Sequence, residues 1–202
     1  MKLFDWHKLL AEQQRASGKV LYTVTELAHL SGCSHAVLNV ELSRLVKQKV
    51  LLRYGRGVYG LPETVQIPEL LSYLDSRAYI TGGFALAGYN LVTQYVNRII
   101  CFTDRRHNRS RLRHTPLGCY EFVTVGSPVY RYPASRGTAD PEQAFLDFLY
   151  LSRRRGLNAQ SLVSFHNLSS LNREKLRRLS ANYPLSVMQE SDNLLYSLGQ
   201  AK

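Results

Sequence analysis

The chain has 202 residues and a formal net charge of +11, from 26 lysines and arginines against 15 aspartates and glutamates. This length is sufficient for one large domain or for two small domains with their own cores. The positive charge, with a sequence pI near 9.8, favours polyanionic partners, nucleic acid first and an anionic membrane surface second. The three cysteines form no CxxC pair and the six histidines are scattered, which argues against a disulfide framework and a zinc site and favours a reducing cytoplasm.

The first predicted element is an amphipathic helix over residues 4–15. Asp5, Lys8 and Glu12 fall where a secretory signal would need an apolar core, so we expect no signal peptide. The apolar face of this helix is predicted to pack against the elements that follow, with Trp6 in the core.

Residues 23–61 carry the pattern of two helices separated by a turn and followed by a hairpin. Thr25 is predicted to cap the first helix, Gly32 to end it in a left-handed conformation, and Ser34 to cap the second. In the second helix, the apolar residues recur at three- and four-residue spacing and are therefore predicted to face inward. These residues are Val37, Leu38, Leu42, Leu45 and Val46.

Two short strands, over residues 51–54 and 58–61, are predicted to follow, joined by a tight turn at Gly55-Arg56-Gly57. With the two helices they predict a winged helix-turn-helix over residues 1–62. The alternative is a small helical domain with a hairpin that serves structure or protein binding. The polar and basic face of the second helix favours DNA, because a helix that binds protein would normally show a larger apolar patch.

The second helix of this unit is predicted to enter the major groove of DNA. Asn39 is the residue best suited to read a base, by a bidentate contact to adenine, although a solvated helix position explains it nearly as well. Arg44 would read guanine or hold a phosphate. Arg56 lies between two glycines, where packing does not explain it, so we expect it to reach the DNA backbone or minor groove. The predicted DNA contacts are Thr25, Ser34, His35, Asn39, Ser43, Arg44, Lys47, Arg53, Tyr54 and Arg56.

A linker with a short helix is predicted over residues 63–77, and a mixed α/β domain over residues 78–202. The uncharged run 78–97 contains too many glycines and polar residues to span a membrane, so we expect no membrane association. The predicted strands lie at 97–103, 119–125 and 129–132. The predicted helices lie at 84–91, from Asp140-Pro141-Glu142 to Arg155, and at about 159–166, 173–182 and 187–198.

An arginine-rich stretch separates the first two of these strands. It contains Arg105, Arg106, Arg109, Arg111 and Arg113. A solvated loop is the ordinary explanation for such a run. Its density of positive charge equally favours a second nucleic-acid contact, either more DNA or an RNA.

The order of these parts resembles the antitoxin component of AbiE-type abortive-infection systems, the type IV toxin–antitoxin class. The similarity extends from about residue 5 to about residue 182. Gly83 beside Gly82 departs from it, since members of that family often carry other small residues there. The phrases that carry it are RLVKQKVLLRYGRGVYGLP, YITGGFALAGYNLV, TPLGCYEFVTV and TADPEQAFLDFLYL.

This resemblance implies a repressor that binds promoter repeats of its own operon through the winged helix. It also implies a second domain that has the fold of a nucleotidyltransferase without the catalytic groups. That domain would oppose a separately encoded nucleotidyltransferase toxin without forming a stable complex with it.

An active nucleotidyltransferase is the competing hypothesis, because Gly82-Gly83 precede a helix and a strand. That chemistry needs two carboxylates, one residue apart on the following strand, to hold Mg²⁺. The strand at 97–103 has none, and Arg98 occupies a position where a ligand is needed. We therefore expect no enzymatic activity, catalytic residue, cofactor or metal. A winged-helix transcription factor with a ligand- or protein-binding C-terminal domain remains the alternative function.

Overall fold

The computed structural model describes residues 3–93, 98–107, 110–135 and 137–199, which form a mixed α+β fold with two small sheets. Contacts divide the chain into two compact units, Met1–Leu74 with Thr115–Leu117, and Asp75–His114 with Gly118–Lys202. The stretch 63–77, predicted as a linker, therefore contributes its helix to the first unit. None of the described helices is long and apolar enough to cross a membrane.

The first unit contains four helices and a three-stranded antiparallel sheet among its described residues. The helices are α1 (Leu3–Ser17), α2 (Val24–Ser31), α3 (His35–Lys47) and α4 (Ile67–Leu74). The strands are β1 (Leu21–Thr23), β2 (Leu52–Gly55) and β3 (Val58–Gly60), in the order β1-β3-β2. The predicted helices and hairpin are confirmed, whereas β1 is not foreseen because three residues carry no alternation signal of their own.

The start of α2 differs from the prediction, because Thr23 and not Thr25 is its cap. The Thr23 hydroxyl accepts a hydrogen bond from the backbone N–H of Glu26 at 3.3 Å, and the Glu26 carboxylate accepts one from the backbone N–H of Thr23 at 2.8 Å. This reciprocal capping box follows β1 directly, where Thr23 has the extended backbone of a cap residue. Thr25 lies exposed in the first helical turn. At the other end, Gly32 has a φ of 66° and ends α2 as predicted.

The core of the first unit lies between α1, α2, α3 and the sheet. Its buried members include Trp6, Leu10, Tyr22, Leu27, Leu38, Leu42, Leu45, Leu51 and Leu61. The prediction that Val37 faces inward is wrong, since its side chain is 59% exposed. Leu38 belongs to the buried stripe, and Val37 lies about 100° around the helix from it. Spacing alone did not decide which apolar residues of α3 face the core.

The second unit contains a four-stranded sheet in the order β4-β5-β7-β6. Its strands are β4 (Tyr79–Thr81), β5 (Arg98–Thr103), β6 (Leu112–Thr115) and β7 (Gly118–Thr124), and α5 (Gly82–Gly88) joins the first two. β4 pairs antiparallel with β5, and β5 pairs parallel with β7. The strands predicted at 97–103 and 119–125 are confirmed in their described residues. β6 was missed because it lies inside the arginine-rich stretch.

Four further α-helices and a short 3-10 helix (Leu168–Ser170) follow in the described part of the second unit. The α-helices are α6 (Pro141–Arg154), α7 (Ala159–Leu162), α8 (Arg173–Ser180) and α9 (Leu185–Gly199). The strand predicted at 129–132 is wrong, since Tyr130 donates its backbone N–H to Gly126 at 3.0 Å in a turn. The helix predicted at 159–166 is too long, because Val163 is extended and Phe165 forms an isolated bridge with Val92.

The start of α6 is confirmed, with Pro141 as its first residue. Asp140 makes no side-chain capping hydrogen bond. Its carboxylate instead lies 3.0 Å from the ammonium group of Lys175, which is also 3.0 Å from Glu142. The Glu142 carboxylate accepts a hydrogen bond from the backbone N–H of Asn172 at 2.9 Å. The two acids therefore attach the start of α6 to the start of α8.

Candidate nucleic-acid interface

One face of α3 is buried and the opposite face is exposed. The buried stripe of Leu38, Leu42 and Leu45 fixes the helix against the core. The exposed predicted contacts on or next to α3 are Ser34, His35, Asn39, Ser43, Arg44 and Lys47. These residue types supply hydrogen-bond donors, acceptors and positive charge on one surface.

Several of these side chains have partners within α3. The Ser43 hydroxyl donates to the backbone carbonyl of Asn39 at 2.9 Å, so it is oriented toward its own helix. The Arg44 guanidinium lies 3.9 Å from the Glu41 carboxylate. Arg44 and Lys47 occupy the last turn, where positive charge also stabilises the helix dipole. They therefore combine a structural role with an exposed position.

Two valines lie at the centre of the exposed face of α3. Val37 is 59% exposed and Val40 is 56% exposed. Residues three and four positions apart are neighbours on a helix surface, so Val40 adjoins Val37, Ser43 and Arg44. This apolar centre was not predicted from the sequence, where the spacing of Val37 indicates an inward-facing residue. A helical wheel centred on Leu38, Leu42 and Leu45 would have shown it.

The hairpin presents Arg56 at its tip. Gly55 pairs with Val58, so Arg56 and Gly57 form the turn, and Gly57 has a φ of 72° that favours glycine. Arg56 is exposed, as is Arg53. The Arg53 guanidinium donates to the backbone carbonyl of Gly55 at 3.2 Å, which holds it along the hairpin.

Tyr54 does not belong to this surface, and its prediction as a DNA contact is wrong. It is 1% exposed, and its hydroxyl donates to the backbone carbonyl of Leu61 at 3.1 Å. Adjacent residues of a strand point to opposite sides of the sheet. Since Arg53 points outward, Tyr54 points into the core.

The described arginines of the arginine-rich stretch differ in their partners and exposure. Arg109 lies outside the described residues. The Arg105 guanidinium is 3.8 Å from the Asp75 carboxylate, and Arg113 donates to the backbone carbonyl of Ser110 at 2.6 Å. Arg106 and Arg111 are exposed. The described arginines of this stretch therefore have different local roles.

Asp75 organises the base of that stretch. Its carboxylate accepts hydrogen bonds from the Thr103 hydroxyl at 2.7 Å and from the backbone N–H of Arg77 at 2.9 Å, and it lies 3.0 Å from Nε2 of His107. Burial opposes ionisation of Asp75, but the hydrogen bonds from Thr103, Arg77 and His107 lower its pKa below the ordinary value. Asp75 is thus an anionic anchor for the end of β5.

A cleft of about 250 Å³ lies beside β7 in the second unit, and we call it the arginine cleft. It is lined by Arg111, Glu121, Phe122, Val123, Thr124, Leu151, Arg154 and Arg155. Arg111 comes from the arginine-rich stretch, whereas Arg154 and Arg155 come from the end of α6. The fold therefore brings together two basic segments that were considered separately in the sequence.

Asp147 on α6 is the most deeply buried carboxyl group described in the second unit. It accepts hydrogen bonds from the Thr81 hydroxyl and the Tyr183 hydroxyl, each at 2.7 Å. Burial raises the pKa of Asp147 to about 7, against the hydrogen bonds from Tyr183 and Thr81, which lower it. The group connects α6 with β4 and with the segment before α9.

No family model matches this chain, and no curated protein matches it either.

Proposed function

We propose that this chain is a DNA-binding transcriptional autorepressor and the antitoxin of a type IV toxin–antitoxin system. The observation that carries the DNA-binding part is the exposed polar and basic face of α3, with Arg56 exposed at the tip of the neighbouring hairpin. Three helices followed by a β2–β3 hairpin, with β1 completing the sheet, support the assignment of a winged helix-turn-helix.

In this proposal α3 lies in the major groove. Asn39 reads an adenine, and Arg44 and Lys47 contact guanine or phosphate groups. Val37 and Val40 face the floor of the groove, where the methyl group of thymine is the apolar feature of the base edges. Arg56 contacts the flanking backbone or the minor groove.

The antitoxin part of the proposal concerns the second unit. Gly82 and Gly83 begin α5, which lies between β4 and β5 in the chain. In the mixed sheet, β4, β5 and β7 are neighbours in the same order as in the chain. Both features support a relationship to the nucleotidyltransferase fold. β5 has Arg98 where Mg²⁺ chemistry would need a carboxylate. Glu121 on β7 is bound to Arg98 and Arg155. These features support a domain that opposes a toxin without catalysing nucleotide transfer.

The DNA-binding part is tested by fluorescence anisotropy with duplexes from the chain's own promoter. If about six phosphates are neutralised, we expect affinity to fall on the order of a thousandfold between about 50 and 200 mM salt. Arg56→Ala should weaken binding to every sequence, whereas Asn39→Ala should reduce the difference between operator and random DNA. A salt dependence near zero would refute the electrostatic basis of this proposal.

The antitoxin part is tested by co-expression with the product of a downstream nucleotidyltransferase gene. We expect the chain to restore growth, and we expect Arg56→Ala to restore growth equally well while losing repression. Failure of the wild-type chain to restore growth, with repression intact, would refute the antitoxin role and leave the DNA-binding role in place.

A second candidate function is a winged-helix transcription factor whose second unit binds a ligand. The arginine cleft is the observation that favours it, because this cleft supplies a concave, positively charged site apart from α3. The absence of a nucleotidyltransferase gene next to this one would favour this function over the antitoxin.

A further inference from the structure

We propose that the arginine cleft binds a phosphate or diphosphate group. The cleft lies in the second unit, and phosphate binding there does not depend on DNA binding by α3. Three features of the cleft support phosphate binding: its charge, its size and the engagement of the Glu121 carboxylate by Arg98 and Arg155.

The charge of the cleft is strongly positive. Three arginines line it, and a fourth, Arg98, contacts its carboxylate from outside. Glu121 is the sole acidic residue among the described residues that line the cleft, so the four arginines and this glutamate give a formal charge of +3. The end of α6 contributes a partial negative charge of about half a unit, which these arginines outweigh.

Two of the lining arginines have no ionic partner within the described part of the chain. The Arg154 guanidinium donates to the backbone carbonyl of Thr124 at 3.1 Å, which orients it beside β7 without neutralising it. Arg111 is exposed, and it forms no ion pair with a described carboxylate. Guanidinium groups present several donors in a plane and bind phosphate oxygens in pairs, so two such groups at one cleft form a receptor for this anion.

The size and lining of the cleft limit what it can hold. Its volume of about 250 Å³ is smaller than the roughly 300–1,000 Å³ typical of sites that enclose a whole small molecule. Phe122 is the aromatic lining residue, and at 1% exposure it offers no surface for stacking a base. The cleft therefore suits the phosphate end of a ligand, with the remainder of the ligand outside.

Glu121 acts as an internal competitor for the ligand. Its carboxylate lies 2.5 Å from the guanidinium of Arg155 and 3.4 Å from that of Arg98. A phosphate that enters the cleft competes with this carboxylate for Arg155. Removing the charge of Glu121 should therefore strengthen phosphate binding, whereas removing a surface acid elsewhere should not.

The test is isothermal titration of the full chain with inorganic pyrophosphate at low ionic strength. We expect saturable one-to-one binding. Arg154→Gln and Arg111→Gln should each weaken it on the order of tenfold, the usual effect of losing one charged hydrogen bond. Glu121→Gln should strengthen it several-fold. Arg178→Gln and Glu174→Gln, matched changes on the exposed surface of α8, should leave it unchanged.

Thermal unfolding of each variant shows whether the fold is intact, and the use of two arginine variants guards against loss of one of them. The inference is overturned if pyrophosphate does not bind saturably, or if Arg178→Gln weakens binding as much as Arg154→Gln. Competition then identifies the source of the phosphate. Displacement of pyrophosphate by promoter duplex assigns it to a nucleic-acid backbone, and displacement by ATP but not by duplex assigns it to a small phosphorylated molecule.

Discussion

At the hairpin, two nearby residues have opposite environments. Tyr54 lies in the core with its hydroxyl bound to the carbonyl of Leu61, whereas Arg56 lies at the exposed tip. Tyr54 lies within β2 with its side chain on the core side of the sheet, whereas Arg56 lies in the turn beyond the last residue of β2. A change at Tyr54 should therefore affect stability, whereas a change at Arg56 should affect DNA binding.

Tyr54→Phe should lower the free energy of unfolding by about 1 kcal/mol, because the hydrogen bond from the Tyr54 hydroxyl to the carbonyl of Leu61 is lost and only the one from the Thr64 hydroxyl, at 3.1 Å, is kept there. It should leave the affinity for promoter DNA unchanged. Arg56→Ala should have the reverse effect, with weaker DNA binding and stability within about 0.5 kcal/mol of the wild type. Urea unfolding and anisotropy measure the two quantities, and a large loss of DNA affinity in folded Tyr54→Phe would contradict this assignment.

Val40 is expected to contribute to the recognition of thymine by α3. Replacing thymine by uracil in the operator removes only the methyl group. At the contacted positions, this replacement should weaken binding by the wild-type chain by roughly 1 kcal/mol, since one buried methyl or methylene group contributes about that amount. Val40→Ala should bind the thymine and uracil duplexes equally. If every thymine can be replaced without effect, the exposed valines have another role.

Among the elements, α2 depends on the residue that precedes it. The Thr23–Glu26 capping box satisfies backbone N–H groups that a helix start otherwise leaves free, and Lys19 lies 2.5 Å from the Glu26 carboxylate. Burial opposes ionisation of Glu26, but hydrogen bonds from Lys19 and Thr23 lower its pKa below the ordinary value. This cap therefore stabilises the start of α2, and through α2 it stabilises the turn that leads into α3.

Thr23→Ala should therefore lower the free energy of unfolding by about 1 kcal/mol, the usual effect of losing a side-chain cap. Thr25→Ala is the matched control. It changes an exposed residue in the same helix, and it should change stability by less than about 0.5 kcal/mol. Equal losses in the two variants would show that the cap assignment is wrong.

For the whole molecule, Asp147 makes a large contribution to the pH dependence of stability. Its pKa is about 7 in the folded chain and about 3.9 in an unfolded chain. The folded state therefore holds this proton more tightly, so the contribution of Asp147 to the free energy of unfolding falls as the pH rises from about 4 to about 7 and then levels off. The complete change is on the order of 4 kcal/mol.

Asp147→Asn keeps the shape of the side chain and removes the titration. The difference in unfolding free energy between this variant and the wild type should shift in favour of the variant as the pH rises from about 5 to about 7.5. Asp192→Asn, a change on the exposed surface of α9, should keep the wild-type dependence. Urea unfolding at these two pH values provides the measurement, and parallel curves for the wild type and Asp147→Asn would refute the elevated pKa.

Several elements could be predicted from the sequence because their signals are local. Capping residues, glycine at a left-handed position and apolar spacing identified α1, α3, the hairpin and the start of α6 at Pro141, because each signal lies within a few residues of its effect. The sequence also determined the positive charge and the lack of a carboxylate on β5. These properties do not depend on how the chain folds back on itself.

Other features of the fold and of the candidate site depend on tertiary contacts. The pairing of β1 with β3, the burial of Asp147 and the approach of Arg111 to Arg154 depend on contacts between residues far apart in the chain. A local pattern contains no information about such contacts, since the same side chain is core or surface according to what packs against it. The arginine cleft could therefore not be predicted from the sequence, because it forms only where the fold brings the two basic segments together.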